Sequence, residues 1–267
     1  MSPQIRRLTR LVSVLRAENP GPMTLEGTNS LLLRAPGSDG VVVVDPGPDL
    51  PEHVQALAAA GPVELVLITH RHNDHTEAID SLRELTAAPV RAALPEHCRH
   101  GQPLRDGERL TAAGVSIEVL ATPGHTSDSL SFRILDDAAL TDGAAIAPIL
   151  TGDTVLGRGT TMIDHPDGTL TDYLASLRRL EAAGPLTVLP AHGPVPEPLD
   201  VVARDYRHHR EGRLAQVSAA LAELGEDEAA TVTPEQLAPR IYPGLEGTVA
   251  RVAVQTVAAH LRHLREG

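Results

Sequence analysis

Short apolar runs recur through the first two thirds of the chain, and several of them end abruptly at a glycine or a polar side chain. Val41–Val44 and the run at 65–68 are long enough and apolar enough to be strands that are buried on both faces. The pattern predicts further strands near 8–16, 30–35, 89–94, 108–112, 115–121, 129–135, 145–151 and 186–190, and helices near 50–60, 74–86 and 169–183. Strands alternating with helices in this way indicate an α/β fold.

The pattern changes after a segment at 194–198 that contains three prolines. Helical periodicity then dominates, with helices predicted near 203–224 and 246–264 and a helix start at Thr233, which is followed by a proline. We therefore expect two domains, a catalytic domain over 1–200 and a small helical, winged-helix-like domain over 201–267 that carries a short β-wing.

The amino-acid composition and the net charge argue against some functional classes. The 267 residues include 35 acidic and 23 basic side chains, a net charge of −12, and only three Tyr, one Phe and no Trp. Such a chain lacks the basic surface and the aromatic stacking platform of a general nucleic-acid binder. Cys98 is the only cysteine, and the apolar run at 11–15 is too short to cross a membrane. These features predict a cytoplasmic protein that does not interact with membranes.

The apolar run at 65–68 leads into a dense cluster of possible metal ligands. His70, His72, Asp74 and His75 fall within six positions, at a predicted strand-to-helix turn. Imidazole and carboxylate groups are the donors that zinc prefers in such sites. The alternative is a polar helix start with incidental histidines.

Three later strand ends also deliver ligand-type residues, namely His125, Asp153 and His192. Together with the first cluster they make five imidazoles and two carboxylates, which suit two zinc ions that share one carboxylate; iron or manganese can occupy similar ligand sets. Zinc brings the pKa of bound water to about 7, so the expected reaction class is hydrolysis by a metal-bound hydroxide.

Four motifs carry a resemblance to a known family. T-H-R-H-N-D-H at 69–75, T-P-G-H-T at 122–126, T-G-D-T at 151–154 and P-A-H-G at 190–193 resemble, in this order, the metallo-β-lactamase superfamily. The resemblance implies an αββα sandwich over roughly 10–200. It also implies a first metal held by His70, His72 and His125, a second held by Asp74, His75 and His192, and a bridging Asp153, with Asp74 and Asp153 as the catalytic carboxylates. Asp45 matches the family's early aspartate and would orient a metal-binding histidine, or else cap a turn.

The substrate is less well defined by the resemblance. Asp153 is typical of hydroxyacylglutathione-hydrolase-like members and absent from antibiotic-degrading lactamases. The segments at 19–29 and 166–177, and the tail, resemble the β-lactamase-like protein 2 group, whose members include an endoribonuclease and thioesterases acting on carrier-bound polyketides. The resemblance to this group implies that Thr28 and Asn29 lie at the rim of the substrate site. The alternative is that they only stabilise the turn.

Three functions follow as hypotheses. The first is a dinuclear zinc hydrolase acting on a small or carrier-bound ester or thioester. The second is an endoribonuclease acting on single-stranded RNA, and the third is a nucleic-acid-binding protein that uses the winged-helix tail. We expect the tail to pack over the metal face or to mediate dimerisation, so that the protein is a monomer or a homodimer.

Overall fold

Two β-sheets face each other in the computed structural model, which describes residues 4–137 and 147–266. The first sheet has six strands in sequential order: β1 (Arg6–Arg7), β2 (Val12–Arg16), β3 (Asn29–Leu33), β4 (Val41–Val44), β5 (Val63–Leu67) and β6 (Val90–Arg91). The second has five strands, in the order β11-β10-β9-β8-β7: β7 (Arg109–Ala112), β8 (Val115–Ala121), β9 (Leu130–Ile134), β10 (Pro148–Gly152) and β11 (Thr187–Pro190). Residues 145 and 146 of the strand predicted near 145–151 lie outside the described residues.

The space between the sheets is filled by a single apolar core. In β8 the side chains alternate, so that Val115, Ile117 and Val119 are fully buried while the residues between them are half-buried. They meet Phe132 of β9 and the inward side chains of the first sheet. This period of two is the pattern of a strand with one face on the core.

Helices cover the outer faces of both sheets. Helix α1 (Pro51–Ala59) packs against the first sheet together with a helix at Ile79–Thr86, and helix α4 (Leu170–Ala182) packs against the second sheet. The expected order of layers, helix–sheet–sheet–helix, is therefore confirmed.

The helix predicted over 74–86 is two helices, α2 (Asn73–Thr76) and α3 (Ile79–Thr86). The break occurs because the Ala78 amide donates to the carbonyl of Gly47, 3.1 Å away, on the neighbouring loop. This hydrogen bond replaces an intrahelical one, and it ties the segment that carries Asp74 and His75 to the end of β4.

The C-terminal part is helical throughout. Helix α5 (Leu199–Ala222) crosses the expected boundary near residue 200, and it is followed by α6 (Glu226–Thr231), α7 (Pro234–Ile241) and α8 (Gly247–Glu266). The first half of α5 packs on α4, while Val217 and Ala220 in its second half join a separate core with α7 and α8. The helix start predicted at Thr233 is confirmed by a capping box with Gln236.

The expected β-wing is wrong, because residues 199–266 contain no strand. Only the five residues at 242–246 separate α7 from α8, and a hairpin with two strands and a turn needs more chain than that. Within 4–137 and 147–266, no helix is both long and apolar enough to cross a membrane.

Candidate metal centre

The seven sequence-predicted ligands converge at one edge of the sandwich. Asp74 and His75 lie in helix α2, and the other five lie at the end of a strand or in the segment after it. Their donor atoms form three overlapping groups, in each of which all atoms lie within 4.8 Å of one another. The groups are His70, His72 and His125; His70, His75 and Asp153; and Asp74, His75 and His192.

The first group is a triangle of ring nitrogens. His72 Nδ1 lies 3.0 Å from His70 Nε2 and 3.1 Å from His125 Nε2. His70 and His125 are buried, and His72 is partly exposed toward a cleft. Burial lowers the pKa of His125 to about 4 and that of His70 well below its usual value, and the neighbouring imidazoles act in the same direction.

Outer hydrogen bonds decide which nitrogen of each ring faces inward. The Met162 carbonyl accepts from His125 Nδ1 (2.8 Å) and Asp164 accepts from His72 Nε2 (3.1 Å). Thr69 Oγ1 donates its only proton to Asp45 (2.7 Å), so it accepts from His70 Nδ1 (3.1 Å). Each ring thus carries its proton on the outer nitrogen and turns a lone pair inward.

The other two sets overlap at His75, and we refer to their members apart from His70 as the second group, which combines two imidazoles with two carboxylates: His75, His192, Asp74 and Asp153. His192 Nε2 lies 3.1 Å from Asp74 Oδ2 and 3.3 Å from Asp153 Oδ1, and His75 Nε2 lies 3.3 Å from Asp74 Oδ2. Despite these distances, His75 Nε2, His192 Nε2 and Asp153 Oδ1 have no hydrogen-bond partner among the described residues, although all three atoms are buried. Buried polar atoms are normally paired, so these atoms surround a position that suits a cation.

The outer nitrogens of this group are held in the same way. His75 Nδ1 donates to Asp45 Oδ2 (2.9 Å), and His192 Nδ1 lies 3.3 Å from the Gly27 carbonyl. All five imidazoles therefore present Nε2, or in His72 Nδ1, to the centre. A convergent set of inward nitrogens and carboxylates matches the donor chemistry of a divalent transition metal.

The local electrostatic field also favours a cation. Burial opposes a charge on His75, but Asp74, Asp45 and Asp153 outweigh it and raise the pKa of the ring well above its usual value. Burial likewise opposes the charge of Asp74, but His75 and His192 hold the pKa of this carboxyl far below its usual range. A field that stabilises a proton on buried imidazole also stabilises a divalent ion there.

Asp45 anchors the first ligand turn. Its Oδ1 accepts from the Thr69 amide (2.8 Å), and its Oδ2 accepts from the Thr69 hydroxyl and from His75. It has a φ of 54°, in the left-handed region that aspartate tolerates better than most residues.

Gly152, in the T-G-D-T motif, lies against the first ligand turn. It has a φ of 51°, and a Cβ there would lie 2.8 Å from the Thr69 side chain. The turn before Asp153 can therefore pack against Thr69, next to His70, only because residue 152 is a glycine.

Sequence reasoning missed the loop at 161–168, which holds the outer atoms of two histidines through Met162 and Asp164. Asp164 also forms an ion pair with Arg71, the residue between His70 and His72. Arg210 of α5 also holds the loop in place, because its buried side chain donates to the Thr161 carbonyl. The P-D-G motif at 166–168 ends this loop, but the sequence pattern does not show which side chain of the loop faces a ligand.

Thr28 and Asn29 lie behind the ligands and do not line the cleft. Thr28 is fully buried, and its hydroxyl donates to Asp74 Oδ2 (3.3 Å). The side-chain amide of Asn29 donates to the carbonyls of Pro190 and Gly193, both at 3.1 Å. These contacts fix the position of Asp74 and of the loop that carries His192.

A cleft of about 470 Å³ opens onto the centre. At its inner end lie His72, Asp74, His125 and Asp153. Its walls come from the loop at 22–25, from Leu156–Met162, and from Val249 and Val252 of α8. The C-terminal helices therefore shape the entrance to the candidate site, as expected for a tail that packs over the metal face.

Comparison with known proteins agrees with this geometry. A family model described as the metallo-beta-lactamase superfamily matches residues 23–192, which include all seven candidate ligands. The chain belongs to the metallo-beta-lactamase superfamily.

Similar members of the superfamily extend over most of the chain. The lactamase-like protein vrtG of Penicillium aethiopicum is 35% identical over 83% of this chain and 69% of its own length. The beta-lactamase-like protein 2 homolog of Caenorhabditis elegans is 27% identical, over 97% of this chain and 86% of its own length. An atrochrysone carboxyl ACP thioesterase of Aspergillus chevalieri is 30% identical, over 95% of this chain and 80% of its own length.

Solved structures show the same fold. A beta-lactamase domain protein from Burkholderia ambifaria superimposes with a TM-score of 0.78 over 99% of this chain and 88% of its own, at 23% identity. Because the overlap includes nearly the whole chain, the helical tail is part of the shared fold. Membership of the superfamily and the clustered ligands identify a metal-dependent hydrolase.

Proposed function

We propose that this metal-dependent hydrolase uses two zinc ions and cleaves an ester or thioester. The observation that carries the proposal is the set of five inward-facing imidazole nitrogens with two carboxylates between them. His70, His72 and His125 would hold one ion, and Asp74, His75 and His192 the other. Asp153 lies 3.7 Å from His125, 3.7 Å from His75 and 3.3 Å from His192, a position that suits a bridging ligand.

Such ions supply an activated water and polarise the carbonyl to be attacked. The protein's own groups orient the reactants. Asp74 is partly exposed to the cleft and is held in place from behind by Thr28, so its carboxylate can accept a hydrogen bond from a water at the inner end. Asp153 faces the same space and can accept from the other side. The two carboxylates therefore define where the attacking water sits relative to a substrate in the cleft.

The surroundings of the site favour an acyl substrate over a polyanion. The cleft walls are largely apolar. Among the described residues of the cleft lining, Arg158 is the one arginine, and it is paired with Glu26. An RNA strand would require free cations to offset its phosphates. The similarity to an ACP thioesterase points in the same direction.

The decisive assay compares substrates on one preparation. Zinc-loaded protein should cleave acyl thioesters at a rate at least 100-fold above that of His72→Ala, because one ligand of the first ion is lost. His208→Ala, an exposed histidine on α5, serves as the matched control and should retain full activity. Rapid cleavage of single-stranded RNA with no cleavage of thioesters would overturn the choice of substrate and favour a phosphodiesterase.

A further inference from the structure

We propose that the cleft binds the apolar acyl chain of the substrate and that α8 supplies the wall that selects it. This inference rests on the proposed function and specifies its substrate as an acyl group with an extended hydrocarbon portion.

The cleft continues beyond the candidate metal centre. A second cavity of about 540 Å³ lies along α8 and is lined by Thr248, Arg251, Val252, Val254 and Gln255 of that helix. It shares Met23, Met162 and Val252 with the cleft of about 470 Å³ at the centre. The two cavities are therefore neighbours with these three side chains between them, and we call them together the channel, which extends from the ligand cluster along the start of α8.

The channel exposes apolar side chains that have no packing role in a core. Met23 is 41% exposed and Val249 is 47% exposed, and both face the space that leads to the metal ligands. Large apolar groups left open beside a reactive centre are typical of ligand sites. An acyl chain lying along them would place its carbonyl carbon at the inner end.

The charges along the channel favour an uncharged occupant. Asp74 and Asp153 lie at its inner end and Glu235 lies in the outer cavity. Among the described residues that line the outer cavity, Arg251 is the one cation; it is exposed and donates to Thr248. Glu235 and Arg251 carry opposite charges, and Asp74 and Asp153 would be neutralised as metal ligands. The walls of the channel therefore carry no net charge that would attract a polyanion, and their apolar side chains match a chain of methylene groups.

Binding can be measured without hydrolysis. Zinc-loaded protein should bind non-cleavable S-alkyl thioethers of pantetheine with an affinity that rises about fourfold per methylene as the alkyl chain lengthens from two carbons to eight. Affinity that does not change with chain length would overturn the proposal.

Val249→Ser tests the wall, and Val195→Ser is its matched control. Both valines are exposed, at 47% and 46%, and Val195 lies outside the channel lining. Val249→Ser should weaken binding of the eight-carbon thioether about threefold, with a smaller loss for shorter chains, while Val195→Ser should change neither. Met23→Ser on the opposite wall should act as Val249→Ser does. Equal affinity in wild type and in both channel variants would show that the chain binds elsewhere.

A parallel series of cleavable thioesters separates the two proposals. If acetyl and octanoyl thioesters are both cleaved with equal kcat/KM, the proposed function holds and the channel proposal fails. If no thioester is cleaved but the thioether series shows the chain-length dependence, the channel stands and the reaction assigned to it is wrong.

Discussion

His72 Nε2 lies 3.1 Å from Asp164 Oδ2, so a carboxylate 92 residues further along the chain fixes the orientation of one ligand ring. Asp164 is itself held by Arg71, and its backbone amide donates to the His125 carbonyl (2.9 Å). The loop at 161–168 thus acts on two of the three histidines of the first group.

Replacing Asp164 should weaken metal binding more than it weakens the fold. Asp164→Ala removes the acceptor that fixes the His72 ring, so we expect a loss of metal affinity of about 10- to 100-fold. Asp164→Asn keeps a neutral acceptor and should show a smaller loss. Competition with a chromophoric chelator measures these affinities directly. Asp167→Ala is the control, since Asp167 contacts Arg71 and Ser127 instead of His72; equal losses in the Asp164 and Asp167 variants would contradict the assigned role.

Asp45 should stabilise the protein even without metal. Asp45→Ala leaves the Thr69 amide and hydroxyl and His75 Nδ1 without their buried acceptor, which should lower the free energy of unfolding by about 3 kcal/mol. Urea unfolding of the chelator-treated protein is the measurement. Asp45→Asn retains an acceptor and tolerates the positive φ, so less than half of the loss is expected. The exposed Asp49→Ala should stay within about 0.5 kcal/mol of wild type, and an equal effect at positions 45 and 49 would exclude an anchoring role.

Metal stoichiometry tests the shared carboxylate. Wild-type protein saturated with zinc and passed through a desalting column should retain two ions per chain by elemental analysis. Asp153→Ala should retain one or fewer, because Asp153 lies between the two ligand groups. Each bound ion at 100 times its dissociation constant adds about 2.7 kcal/mol to the free energy of unfolding. Zinc should therefore raise the melting temperature of wild type more than that of the variant, and two ions retained by both proteins would contradict a bridging role.

His53 should make the fold acid-sensitive. This ring is buried beside Ser30 Oγ (2.8 Å), and burial lowers its pKa to about 4 from the usual 6.5. Between these two values the unfolded chain binds the proton and the folded chain does not, so stability is present above pH 6.5 and is lost as the pH falls toward 4. The full contribution is about 3 kcal/mol.

The measurement compares unfolding free energies of wild type and His53→Gln across this range. The difference between the two proteins should change by about 3 kcal/mol from pH 7 to pH 4 in favour of the variant. His208→Gln on the exposed face of α5 is the control and should run parallel to wild type. A constant difference for His53→Gln would show that the buried ring is not the source of the acid sensitivity.

The ligand cluster was predictable because each ligand follows a local signal. At His125, Asp153 and His192 an apolar strand ends, a glycine or proline turns the chain, and the ligand-type residue follows within two positions. The first cluster has no such turn residue, and it was recognised because four ligand-type residues lie within six positions after a strand. The alternation of strands and helices indicated an α/β fold, and the layer order followed from the resemblance that the four motifs carry.

Contacts between segments that are distant in the sequence could not be predicted from local signals of this kind. Asp164 meets His72 only because α4 and the second sheet bring its loop back across the site, and no periodicity reports that. The break at Ala78 depends on a carbonyl of Gly47, and the missing wing depends on the short connection at 242–246. The channel likewise needs the folded position of α8, since Val249 and Val252 are ordinary apolar residues in the sequence.

The bridge between Thr28 and His192 joins the residue before β3 to the turn after β11, with the Asn29 amide donating to the Ala191 carbonyl at 2.7 Å. On the ribosome, residues up to 164 suffice to supply the three histidines of the first group and the loop that orients them. The second group must wait until residue 192 has emerged and paired with a segment made more than 160 residues earlier. The order of synthesis therefore sets the earliest point at which each ligand group can be complete, and the group that contains His192 comes last.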